Sequence, residues 1–190
     1  MKLMEKKILS DGKVLPGNIL KVGGFLNQQI DTAFMSKAAA YAAKLYKDDN
    51  VTKVITIEAS GIPLATLIAV KLGVPEVVVK KHASANLSNN LYTARIASFT
   101  HSNVYTAVVD KEYLNKGDRV LIVDDFLACG NAIRGLQEII AQAGATLVGC
   151  VAAIEKGFQG GGDELRSEGI RVDSLAIIES MDENKITFRK

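Results

Sequence analysis

The stretch VLIVDDFLACGNAIRGL at 120–136 carries the reading of this chain. Its unbroken apolar opening, VLIV, has the pattern of a strand buried on both faces. Two acidic residues, Asp124 and Asp125, close that strand. A loop of small residues follows, Ala128-Cys129-Gly130-Asn131-Ala132, and a helix begins at once, with Ile133, Leu136, Ile139 and Ile140 on one face. In open α/β sheets ligands bind beyond the carboxyl ends of strands, which is where this loop falls. A helix N-terminus offers unpaired N–H groups and a positive dipole end, and both suit a phosphate dianion. Small side chains let the backbone approach the phosphate, and Gly130 permits a tight turn. Adjacent carboxylates repel each other unless a polyol or a metal ion engages them. Together these parts point to a ligand with both hydroxyls and a phosphate, such as a ribose 5-phosphate. The bland reading is an acidic strand end before a helix cap. A nucleotide-hydrolase reading fails, because no GxxxxGK[ST] occurs in the chain. No GxGxxG occurs either, and the triple glycine at 160–162 lacks that spacing.

Outward from this segment, apolar runs alternate with helical patterns. VITI at 54–57 leads through a turn to LATLIAVKL at 64–72, a helix closed by Gly73, and then to VVVK at 77–80. Downstream, Gly144 suits the end of the helix at 131–142, and TLVGCVAAI at 146–154 reads as another buried strand. DELRSEG suggests a short helix and RVDSLAII at 171–178 a last core strand. Continuous apolar strands interleaved with helices predict an α/β fold with a central parallel sheet flanked by helices. The first 50 residues differ. Asp31 reads as an N-cap, and Phe34, Ala38, Tyr41 and Leu45 follow on one expected helical face. PGNILKVGGFLNQQI before it is irregular, and fits either a cover over the end of the sheet or a loop packed on the core.

Composition narrows the classes. A chain of 190 residues predicts one domain, with 1–50 as a small N-terminal hood and helix and 51–190 as the core. A net charge of +2 gives no whole-chain basic field, so nucleic acid is an unfavoured partner. The longest apolar runs are too short to cross a bilayer, and MKLMEKKILSDGK lacks a signal peptide's apolar centre, so a cytoplasmic location is expected. Cys129 and Cys150 suggest no disulfide framework, and with only His82 and His101 no zinc constellation can be assembled.

The strand, acidic pair and small-residue loop at 120–132 resemble the phosphoribosyl pyrophosphate (PRPP) motif of the type I phosphoribosyltransferases. Cys129, Asn131 and Ala132 stand where that family often carries hydroxyl-bearing residues, although backbone N–H groups can still hold a phosphate. TIEASGIP at 56–63 looks like the family's pyrophosphate loop, with Ala59, Ser60 and Gly61 as backbone donors. KKHASANLSNNLYTARIASFT at 80–100 looks like its flexible catalytic loop, and YTARIASF alternates as a hairpin strand does. ILKVGGFLNQQID at 19–31, DDFLACGNA and AIEKGFQGG at 153–161 are similar in wording to the family's bacterial xanthine-using branch. The resemblance implies transfer of a phosphoribosyl group from PRPP to xanthine, with Leu20, Asn27 and Lys156 at the base. It further implies Asp124, Asp125 and Lys81 as catalytic residues and a homodimer. Magnesium is implied too, held through substrate oxygens rather than by protein ligands. Guanine, hypoxanthine or adenine remain alternative bases, and a PRPP-sensing RNA-binding regulator of the same fold is an alternative class.

Overall fold

The computed structural model describes residues 1–82, 90–97, 104–183 and 185–190. The expected catalytic loop therefore falls partly outside the described residues, at 83–89 and 98–103, as does His101.

An N-terminal helix α1 (Lys2–Asp11) buries Met4 and Ile8 and leads into a short antiparallel hairpin, β1 (Lys13–Leu15) and β2 (Ile19–Lys21). A π-helical turn at Gly23–Asn27 buries Phe25 and Leu26 and delivers the chain to α2 (Thr32–Leu45). Asp31 caps α2 as expected, accepting the Phe34 N–H at 3.0 Å, and also receives Lys7 at 2.8 Å, which ties α1 to α2. The buried face of α2 is Phe34, Met35, Ala38, Ala39, Ala42 and Ala43. Tyr41, expected on that face, is instead 45 % exposed. Alanines allow close approach of the helix at 62–72, and the bulky ring is turned outward.

The central sheet is built from β3 (Lys53–Ile57), β4 (Glu76–Val79), β7 (Arg119–Leu127), β8 (Thr146–Lys156), β9 (Val172–Ser174), β10 (Ile177–Asp182) and β11 (Lys185–Phe188). A separate antiparallel hairpin pairs β5 (Leu91–Ala97) with β6 (Val104–Asp110), and a bridge from Lys80 to Val108 joins it to the end of β4. Sheet order is β11-β10-β8-β7-β3-β4, with β9 also on β8, and every pairing but β10 with β11 is parallel. The expected single strand at 171–178 is therefore divided. β9 pairs β8 at 150–152 and β10 pairs it at 155–156, while Leu175 and Ala176 bridge between them through backbone bonds to Ala152 and Ala153.

Helix α3 (Ile62–Leu72) and α4 (Asn131–Gln142) cover opposite faces, and α5 (Gly161–Ser167) follows β8. Gly73, left-handed at φ 71°, ends α3, and Gly144, at φ 67°, follows α4. Two hydrophobic clusters result. One holds α1, α2 and α3 with Leu121 and Val123 of β7; the other holds α4 and the β5–β6 hairpin with Val120 and Ile122. Alternation along β7 sends successive residues to different clusters. Each large aliphatic side chain so buried contributes about 1.5–3 kcal/mol.

Candidate active site

β7 runs two residues past the acidic pair, because β8 continues alongside it to Glu155 and Lys156. Asp124 and Asp125 are thus held by strand geometry rather than by a loose turn. Asp124 sits near Lys81 and Tyr105, and Asp125 receives a hydrogen bond from the Asn27 side chain of the N-terminal segment. Burial, reinforced by the neighbouring Asp125 charge, pushes the Asp124 carboxyl well above the usual carboxylate range. Burial pushes Asp125 up as well, against the opposing pull of Asp124 and of hydrogen bonds from the Phe126 N–H and the Asn27 side chain. The Asp125 N–H donates to Asp124 Oδ1 at 2.9 Å. Two desolvated carboxylates side by side are unstable as a pair of bare anions, and a cation or a diol meets that need.

Two adjoining cavities share Lys81, Tyr105, Asp124 and Ala132. The first is lined by residues 127–133, including Ala128, Cys129, Gly130 and Asn131, and by Phe126 and Ala97. Gly130 is left-handed at φ 82° and turns the chain into α4, whose first N–H groups therefore border the cavity. Asn131 Nδ2 donates to Ala97 O at 3.2 Å, which fixes this loop to the β5–β6 hairpin. The second cavity is walled by Ile57, Glu58, Ala59 and Ser60 together with both aspartates. The peptide between Glu58 and Ala59 is cis. Gly61 sits directly over the end of β3: a methyl there would collide with the Thr56 hydroxyl and lie 3.3 Å from Asp124 Oδ1. That Thr56 hydroxyl is buried and has no hydrogen-bond partner among the described residues.

Ten of the expected residues therefore line one pair of cavities: Asp124, Asp125, Lys81, Ala59, Ser60, Ala128, Cys129, Gly130, Asn131 and Ala132. Gly61 abuts Asp124 from beneath. The three residues expected at the base, Leu20, Asn27 and Lys156, lie toward the N-terminal segment. Lys156 Nζ donates to Asn18 O at 3.0 Å, in the turn between β1 and β2, and stands 5.8 Å from the Phe126 ring centroid. Burial lowers the affinity of Lys156 for its proton. Asn27 reaches Asp125, and Leu20 is buried in the cluster on that side.

Glu58, Tyr105 and Phe126 also line these cavities, and none of them is among the residues expected from the sequence. Glu58 accepts the Lys81 N–H at 2.8 Å and Lys80 Nζ at 3.1 Å, and these contacts hold its carboxyl below the usual range. It thereby orients the backbone from which Lys81 projects. Its signal was a lone acid between the apolar strand and the small loop of TIEASG. Tyr105, with Lys81 Nζ 5.5 Å from its ring centroid, comes from a distant strand and left no local mark. Among the described residues no three His, Cys, Asp or Glu side chains gather as a metal cage does.

A phosphoribosyl transferase domain model matches residues 27–184. A xanthine phosphoribosyltransferase of Bacillus cereus (strain AH187) is 46 % identical over 188 residues, covering 99 % of this chain and 95 % of the relative. One from Bifidobacterium adolescentis is 50 % identical over 183 residues, covering 96 % and 95 %. Among solved structures, the adenine phosphoribosyltransferase of Giardia lamblia bound to 9-deazaadenine superposes with a TM-score of 0.79 at 22 % identity, covering 94 % of this chain and 98 % of that one. That of Thermoanaerobacter pseudethanolicus gives 0.74 at 22 %, covering 92 % and 98 %. With an acidic strand end, a small-residue loop lining a cavity and near-complete coverage in agreement, the chain belongs to the phosphoribosyl transferase domain family.

Proposed function

We propose that the protein transfers the phosphoribosyl group of PRPP to xanthine, giving xanthosine 5′-monophosphate and pyrophosphate. The observation that carries the choice of base is the 46–50 % identity, over nearly the whole chain, to proteins named xanthine phosphoribosyltransferase. The solved adenine enzymes share the fold at 22 % identity and do not bear on the base.

In this reading a purine nitrogen bonds to the anomeric carbon as the bond from that carbon to pyrophosphate breaks. The transition state has oxocarbenium character, as in glycoside cleavage. No covalent nucleophile is needed, so positioning and charge stabilisation supply the rate. Ala128, Cys129, Gly130, Asn131 and Ala132 hold the 5′-phosphate through backbone N–H groups at the start of α4. Asp124 and Asp125 engage the ribose hydroxyls from the wall of the cavity they share. Ala59, Ser60 and Gly61 receive the departing pyrophosphate, and Lys81 adds positive charge to it. Asn27 offers a donor and an acceptor to the purine edge, Leu20 shapes the pocket, and Lys156 favours an electron-rich or anionic ring.

Paired, desolvated carboxylates that form no metal cage with a third acidic or imidazole side chain among the described residues fit magnesium carried mainly by substrate oxygens. Such an ion would neutralise charge on the pyrophosphate and ribose oxygens. A homodimer and a cytoplasmic location complete the proposal; no helix among the described residues is long and apolar enough to cross a membrane. Sedimentation equilibrium giving a monomer mass, or recovery of the protein in a membrane fraction, would remove those parts.

A base panel tests the whole. Pyrophosphate release is followed with PRPP, magnesium and each of xanthine, guanine, hypoxanthine and adenine. Xanthine is expected to give the highest kcat/KM. Preference for adenine or guanine overturns the base assignment, and no release with any base overturns the reaction.

A further inference from the structure

We infer that Glu155 is a positioning residue for the phosphate-holding loop, acting through α5; this rests on the assignment of 128–132 to the 5′-phosphate. Glu155 is wholly buried, at 0 % exposure, near the end of β8 and one residue before Lys156. Its carboxylate accepts Arg166 Nη1 at 2.9 Å and Nη2 at 2.6 Å, and it also accepts the Ser174 hydroxyl. Arg166 stands in the last turn of α5, so this fork clamps α5 to the sheet. A second tie comes from α4, where Arg134 donates to Glu168 at 2.6 Å and to Glu164 at 3.3 Å.

What α5 holds in turn is the back of the loop. A methyl added at Gly161 would collide with the Ala128 carbonyl and Cys129 and lie 2.6 Å from Gly130 N. Leu165 Cδ1 lies 3.3 Å from where a side chain at Gly130 would start. Gly162 is pressed onto the Glu155 carboxylate itself, with no room for a Cβ. The glycine run at 160–162 thus closes a solid path from the buried carboxylate, through α5, to the backbone of 128–130. Those same loop residues, Ala128, Cys129 and Gly130, line the cavity shared with Asp124. A buried ion pair is a poor source of stability compared with apolar packing. The planar fork does fix the height and rotation of α5, which is what a wedge behind a phosphate loop needs.

The test separates positioning from mere folding. Glu155→Gln keeps the shape and removes the charge-assisted fork, and xanthine and PRPP are varied separately at steady state. The PRPP KM is expected to rise about tenfold, equivalent to ~1.4 kcal/mol of lost binding, while the xanthine KM stays unchanged. Ribose 5-phosphate binding, measured by calorimetry without any base, should weaken in parallel. Gly161→Ala leaves the ion pair intact but drives a methyl into the loop, and should reproduce the same split. A fall in kcat alone, or an equal change in both KM values, reduces Glu155 to a structural residue and overturns the inference. Should Glu155→Gln fail to fold, unchanged PRPP KM and ribose 5-phosphate affinity in Gly161→Ala overturn it instead. A wild-type protein that releases no pyrophosphate with any base fails the proposed reaction separately, and the ribose 5-phosphate measurement still judges the loop.

Discussion

At the scale of single residues, Asp124 and Asp125 set the terms of the site. Their carboxyls are pushed up chiefly by burial, so the folded, ligand-free protein binds protons more tightly there than the unfolded chain. The sign of the linkage follows. Stability from this pair is intact below the unfolded carboxylate range and is lost as pH rises through the raised folded values. Asp124→Asn should therefore raise the ligand-free thermal midpoint at neutral pH, by roughly 2–4 °C for each kcal/mol relieved. That gain should shrink as pH falls toward the free-acid range, which calorimetry at several pH values would check. The same change, or Asp125→Asn, should lower kcat/KM by on the order of 10²-fold, the loss typical of removing a group that stabilises transition-state charge. Wild-type turnover in the folded Asp124→Asn/Asp125→Asn protein would end their assigned role. Both aspartates and the 128–132 loop were legible in the sequence, because strand, acids and helix start are contiguous there. Tyr105 and the contact of Asn27 with Asp125 were not, since each joins segments that meet only after folding.

At the scale of elements, the buried strands at 53–57, 119–127 and 146–156 were readable from apolar runs flanked by turn residues. Where sequence and structure part, packing decides. Ala39, Ala42 and Ala43 carry the close face of α2, and an aromatic at 41 suggests an anchor that small-residue packing excludes. The division at Leu175 and Ala176 leaves no sequence break, because both residues remain buried and bonded to β8. The turn from β3 into α3 is the element most sensitive to one carbon. Gly61→Ala should cost about 1–3 kcal/mol as overpacking does. Since its methyl meets Thr56 and approaches Asp124, turnover should fall by more than that stability loss explains. Denaturant unfolding and steady-state kinetics on one preparation measure the two effects separately.

At the scale of the whole molecule, Tyr46 pins the N-terminal helices to the sheet. Its hydroxyl donates to Asp173 at 2.8 Å and approaches Cys150 O at 3.3 Å, and burial drives its ionisation far out of reach. The Arg171 guanidinium lies 4.0 Å from its ring centroid. Tyr46→Phe should cost about 1–2 kcal/mol and leave both KM values unchanged, because nothing it touches borders the cavities. An altered xanthine KM with an unaltered unfolding midpoint would refute that separation. The alternation of β7 has a last consequence. A seam runs between neighbours in the chain: Val120 and Ile122 belong to the half built on α4, and Leu121 and Val123 to the half built on the first helices. Insertion or deletion of one residue upstream in β7 would exchange their sides and scramble both halves at once. Substitutions confined to one half leave the other in register. The strand is thus the shared spine on which two packings hang, and a one-residue slip there cannot be repaired within either half alone.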